Sequence, residues 1–111
     1  MNKILSLPYF DNRFKRLAKK FKTLTTELAE LTQSLESDPK QGISLGRGLY
    51  KIRLASESKG GGKSGGFRVV TYYLAEFENG GAVYFVTIFD KSEESSIKKD
   101  YLLKIIKSAL D

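Results

Sequence analysis

Two apolar stripes at helical spacing stand side by side near the start of the chain, and they decide most of what it can become. Phe10, Phe14, Leu17 and Phe21 recur on one face of a helix, and Leu24, Leu28, Leu31 and Leu35 repeat the pattern directly after them. Thr23, Thr25 and Thr26 sit at the junction, where short polar side chains compete for backbone groups and favour a break. Asp11 is the expected N-cap of the first helix, and Asp38-Pro39 with Gly42 ends the second. Two tightly joined amphipathic helices make a helical hairpin. Neither can bury its stripe alone, so both need another surface to pack on.

The rest of the chain supplies a sheet. From Leu49 to Ala55, Tyr50, Ile52 and Leu54 alternate with Lys51 and Arg53, the period of a strand. Phe67 to Leu74 and Ala82 to Phe89 are rich in β-branched and aromatic residues, as strands buried on at least one face are. Glu78-Asn79-Gly80-Gly81 between them reads as a hairpin turn, because Asn-Gly supplies positive φ cheaply. A short first strand is expected around Lys3 to Leu7. Leu102, Ile105, Ile106 and Ala109 form a C-terminal helical stripe, with Ser92 or Ser96 as its cap and Glu93 and Glu94 favouring the earlier start. The expected fold class is α+β: an N-terminal helical hairpin packed on a small antiparallel β-sheet, with a C-terminal helix, as one domain over 1–111.

Composition narrows the function. Hydrophobic residues make up 41% of the 111, enough for one folded core and too few residues for two. No stretch approaches the roughly 20 apolar residues of a membrane span, and the segment before Pro8 is too short for a signal peptide. With no cysteine there is no disulfide or thiolate chemistry, which suits the cytoplasm. There is also no histidine, so any acid–base chemistry falls to other side chains. Nineteen Lys and Arg against thirteen Asp and Glu give a net charge of +6, a balance that points to a polyanion such as nucleic acid. Arg13, Lys15, Arg16, Lys19, Lys20 and Lys22 form a basic face on the first helix.

Ser58 to Gly66 holds half of the ten glycines. Its Gly62-Lys63-Ser64 is not a phosphate-binding P-loop: the glycine required five residues earlier is Glu57, and a strand follows where a helix is required. The segment reads either as a flexible hairpin connection or as a loop whose backbone, with Lys59 and Lys63, approaches a phosphate. The cations of the strands form a tighter group. Lys51 and Arg53 point to one side, Arg68 begins the next strand, and Lys91 follows the third. Such a face must be open or hold an anion. Asp90, Glu57 and Glu76 are the candidates for ordinary ion pairs with these cations. Phe67, Tyr72, Tyr73, Tyr84, Phe85 and Phe89 are mostly core, with Phe89 nearest the cations and able to stack on a base.

Leu49-Tyr50-Lys51-Ile52-Arg53-Leu54, Gly62 to Val70 and Ile88-Phe89-Asp90-Lys91-Ser92-Glu93, with the hairpin ahead and the helix behind, resemble the RelE/HigB family of type II toxins over essentially the whole chain. The resemblance implies the RelE-like, microbial-RNase-like fold and an mRNA interferase, acting in many cases in the ribosomal A site and held inactive by a cognate antitoxin. It places Lys51, Arg53 and Arg68 on the family's cationic cluster. Family members often carry a further Arg after the last strand and a Tyr near the final helix; here those places hold Ser92 and roughly Lys98, so Lys91 or Tyr101 would take up the role.

The chemistry expected is attack of the RNA 2′-OH on the adjacent phosphorus. Arg53 and Arg68 would hold phosphate oxygens, and Lys51, flanked by these two arginines, is the best-placed candidate for the base. No cofactor is expected, and no carboxylate cluster asks for a metal. Two other functions fit the same composition. One is a non-catalytic nucleic-acid-binding module of the same fold, which would protect RNA where an interferase shortens it. The other is an interaction protein with an acidic partner, which would bind RNA poorly even at low salt.

Overall fold

The computed structural model describes residues 2–60, 66–75 and 80–111, the side chains of 94–96 excepted. The hairpin turn expected at Glu78-Asn79 and the centre of the Gly-rich loop, Lys63 included, lie outside the described residues. The strands are β1 (Lys3–Ser6), β2 (Ile43–Gly46), β3 (Leu49–Leu54), β4 (Phe67–Leu74) and β5 (Ala82–Asp90), and the helices are α1 (Pro8–Lys20), α2 (Leu24–Ser37) and α3 (Lys99–Leu110). They form one sheet in the order β1-β5-β4-β3-β2. The antiparallel run β3-β4-β5 is the expected one. It is widened at both edges, by β1 parallel to β5 and by β2 antiparallel to β3. Among the described residues no helix is long and apolar enough to cross a membrane.

The two faces of the sheet are covered by different helices. Phe10, Leu24, Leu31 and Leu35 of the helical hairpin pack on Ile52, Leu54, Phe67, Val69, Val83, Phe85 and Ile88. Phe10 stacks on Phe85 with ring centroids 5.0 Å apart, and Phe21 meets Phe67 edge-on at 5.1 Å. On the other face, Leu102 and Ile106 of α3 pack with Leu7, Leu49, Val70, Val86 and Phe89. The hairpin and the C-terminal helix therefore bury their apolar stripes on opposite sides of one sheet.

Three details depart from the sequence reading. Asp11 is not the N-cap of α1. The helix begins at Pro8, whose fixed φ suits a first helical position, and Asp11 sits inside the first turn accepting 2.6 Å from Ser6 Oγ. Neither Ser92 nor Ser96 starts α3. Residues Lys91–Ser96 form a 3₁₀ segment, and the α-helix starts at Lys99. Strand β2 has no counterpart among the expected elements. It turns into β3 through Gly46, Arg47 and Gly48, all at positive φ (85°, 57° and 84°).

Candidate functional site

Strand register assembles the cations. Arg53 of β3 stands opposite Arg68 of β4, and Arg68 opposite Phe89 of β5. Two residues back along β3, Lys51 stands opposite Val70. Opposed residues share a face, and Val70 and Phe89 belong to the core under α3, so Lys51, Arg53 and Arg68 all lie on the α3 side. Arg53 is exposed and Lys51 half-buried. Arg68 is only 5% exposed, with Nη1 donating to the Phe67 carbonyl at 3.3 Å. Arg68 thus supplies fixed positive charge beneath the surface, whereas Arg53 reaches it. Lys91 is exposed at the first position after β5, two residues beyond Phe89.

Other sequence candidates stand elsewhere. Lys59, expected as a phosphate contact, is not brought to the cluster. Its Nζ lies 2.8 Å from Asp90 Oδ2 and 5.4 Å from the centre of the Phe67 ring. Phe67 and Asp90 are opposed in register on the face that packs against the helical hairpin, the other side of the sheet from Lys51. The hydrogen bond from Lys59 lowers the Asp90 carboxyl below its ordinary pKa, with burial opposing it. This is the ordinary ion-pair reading, realised for Lys59. The root of the Gly-rich loop is pinned to the same side. Ser58 N donates to Thr23 Oγ1 at 2.9 Å, and Glu57 N to Glu27 Oε2 at 2.7 Å. The threonine junction between α1 and α2 thereby acquires a second use.

Arg13, read as part of an outward basic face, turns instead to the end of the sheet. It donates to the Ile88 carbonyl at 2.8 Å and lies 3.6 Å from Glu93. Phe89 is 1% exposed, so its ring is not a free stacking platform; it floors a cleft. Tyr101 does not reach in from α3. It faces Tyr9, ring centroids 6.0 Å apart and edge-on, and lines a separate groove with Leu7, Pro8 and Ile105. Burial and the neighbouring Tyr101 hydroxyl raise the Tyr9 phenol pKa, while Arg13 opposes them. Ser92 is exposed, its amide donating to Asp90 Oδ1 at 3.0 Å, and Lys98 is the exposed residue preceding α3.

The residue that sequence reading missed is Lys99. It begins α3, and its Nζ donates to the Leu45 carbonyl of β2 at 3.0 Å. The contact closes one side of a cleft of about 290 Å³ lined by Leu45, Lys51, Val70, Phe89, Ile97, Lys99 and Leu102. A signal existed: Lys99 lies three residues before Leu102, on the line of the buried stripe, where a cation is out of place. Among the described residues, no group of three or more His, Cys, Asp or Glu side chains could hold a metal ion.

A sheet clasped between a helical hairpin and a C-terminal helix, with cations registered across its central strands, defines a small basic α+β protein. The family model described as the RelE toxin of the RelE/RelB toxin–antitoxin system matches residues 9–110, and the chain belongs to that family. It is a toxin of a toxin–antitoxin system, and an antitoxin is its partner. The comparison with curated proteins gives no match.

Proposed function

We propose that this toxin is an endoribonuclease that cleaves mRNA in the ribosomal A site, in the cytoplasm, with the cationic sheet face as its active surface. The observation that carries the reading is the direct opposition of Arg53 and Arg68, with Lys51 on the same face. Like charges placed directly across a strand pair weaken a sheet. An anion held between them reverses that term, and an RNA phosphodiester is such an anion. The net charge of +6 supports the same partner.

In the reaction, O2′ attacks the neighbouring phosphorus, the bond from phosphorus to O5′ breaks, and the products are a 2′,3′-cyclic phosphate and a 5′-OH. Arg53 holds the phosphate oxygens as charge grows on them, with Arg68 adding field from below. Lys51 takes the 2′ proton. Lys91, exposed after β5, gives a proton to O5′ in the place of the arginine that family members often carry. No step calls on a metal, so cleavage persists in chelator. The cognate antitoxin covers the same cationic face.

The test is induced expression in a bacterial host of wild type beside Lys51→Ala/Arg53→Ala at matched soluble levels. Growth arrest with mRNA fragmented inside coding regions, in wild type only, is the expected result. Intact mRNA in both strains sinks the proposal in favour of a binding module.

A further inference from the structure

We propose that Arg13 and Glu93 are positioning residues for the proton-donating step: together they clasp the free edge of β5 and fix the turn that presents Lys91. The proposal rests on the endoribonuclease reading, with Lys91 as the proton donor to O5′, and adds two residues that need not touch the RNA. Strand β1 runs beside residues 82–85 of β5 and leaves it with the bond from Leu7 N to the Phe85 carbonyl. Among the described residues no strand takes its place beside residues 86–90. Two side chains meet the backbone groups left there. Arg13 Nε donates to the Ile88 carbonyl at 2.8 Å, and Glu93 Oε1 accepts from the Asp90 N–H at 3.2 Å. Ile88 and Asp90 are two apart on one strand, so both groups face the same edge. A residue of a parallel strand would give its N–H to the first and its C=O to the second. Arg13 and Glu93 do the same as a pair, with Arg13 Nη2 lying 3.6 Å from Glu93 Oε2.

Each half of the clasp is itself anchored. Phe10 and Phe14 hold α1 on the sheet on either side of Arg13, and the guanidinium lies over the Tyr9 ring, 5.9 Å from its centre. Glu93 belongs to the 3₁₀ segment Lys91–Ser96, so its grip on the Asp90 amide closes the turn around Lys91, which lies between the two. Lys91 is exposed, so the backbone of this turn sets where its side chain starts. A reacting group misplaced by about 1 Å can cost about 10²-fold in rate, which makes the anchoring of the turn part of the step. Lys59 offers a contrast. It holds Asp90 by the carboxylate, which also accepts from the Ser92 amide, and leaves the backbone N–H to Glu93.

The experiment measures cleavage by the full chain of an mRNA in the A site of stalled ribosomes, made with an ordinary phosphodiester or a bridging 5′-phosphorothiolate at the cut. When the bond from phosphorus to sulfur breaks, the sulfur leaves as a thiolate and needs no proton. Glu93→Ala and Arg13→Ala are expected to lower kcat on the ordinary linkage about 10–100-fold, with KM within about twofold of wild type. Both are expected to cut the sulfur linkage at the wild-type rate. Glu93→Gln keeps an acceptor for the Asp90 amide and is expected to restore most of the rate. In a Lys91→Ala background, Glu93→Ala is expected to cost nothing further. Amide hydrogen exchange reads the clasp without substrate, and Asp90 is expected to lose protection in Glu93→Ala. The proposal is overturned if the alanine variants cut the ordinary linkage at the wild-type rate, or lose rate equally on both linkages. It also fails if the losses from Lys91→Ala and Glu93→Ala add, or if exchange at Asp90 is unchanged. Wild type that cuts neither linkage instead removes the endoribonuclease reading on which the proposal rests, so the two failures are told apart.

Discussion

Arg53 and Arg68 stand directly opposite one another on adjacent antiparallel strands, one at the surface and the other buried. Arg53→Gln is therefore expected to leave the protein as stable as wild type, or more stable by up to about 1 kcal/mol, because it removes a like-charge opposition. The same change is expected to reduce mRNA cleavage about 10²–10³-fold, as loss of one preorganised donor does. Urea unfolding and single-turnover cleavage, run on one preparation, check both halves.

The ion pair between Lys59 and Asp90 lies on the opposite side of the sheet and should behave as structure only. Lys59→Gln is expected to leave cleavage unchanged. The folded-state pKa of Asp90 is lowered, chiefly by the hydrogen bond from Lys59, so its contribution to stability is present above the unfolded value of about 3.9 and is lost as pH falls through the folded value. Wild type should therefore exceed Asp90→Asn in stability at neutral pH, with the gap closing as the solution is taken below pH ~4. Unfolding midpoints between neutral and acid pH measure this, and a gap that stays constant contradicts it.

Gly42 has a backbone φ of +93°, and a Cβ on it would lie 2.3 Å from the Lys51 carbonyl oxygen and 2.9 Å from Ile52 Cγ1. Gly42→Ala must push on the strand that carries Lys51. The expected cost is about 1–3 kcal/mol from overpacking, with added strain from the positive φ. Cleavage should fall beyond what the loss of folded protein explains. Thermal unfolding with activity per folded molecule separates the two effects.

Lys15, Arg16, Lys19, Lys20 and Lys22 lie on and just after α1, away from the cationic face of the sheet, and Lys15, Arg16, Lys19 and Lys20 are exposed. If they meet ribosomal RNA, replacing Lys15, Lys19 and Lys20 by glutamine weakens ribosome binding and lowers its salt slope by about 0.7–0.9 for each phosphate no longer neutralised. Binding across a salt series measures that slope. An unchanged slope removes these residues from the interface.

Local pattern makes much of this legible. Period-two alternation puts Lys51 and Arg53 on one side of β3, and the antiparallel pairing that brings Arg68 to them follows from two strands joined by a glycine-rich connection. What stays hidden depends on partners distant in sequence. Lys59 reads as a loop cation because nothing local shows that Asp90 will stand beside it. Lys99 bonds a carbonyl 54 residues away, on a four-residue edge strand whose Ile-Ser-Leu-Gly carries little strand signal between Gly42 and Gly48. Asp11 reads as the N-cap because Asp is a common capping residue, whereas the helix starts at Pro8, whose fixed φ suits a first helical position.

The chemistry of the cut itself decides whether the cationic face is catalytic. The purified toxin is added to ribosomes stalled on a defined mRNA with the A-site codon open, and the same mRNA is made with a single 2′-deoxynucleotide at the cleaved position. Attack by the 2′-OH predicts a fragment ending in a 2′,3′-cyclic phosphate, a downstream fragment with a 5′-OH, and no cut at the deoxy position. Cleavage that proceeds through the 2′-deoxy position, or that leaves a 5′-phosphate, would contradict it.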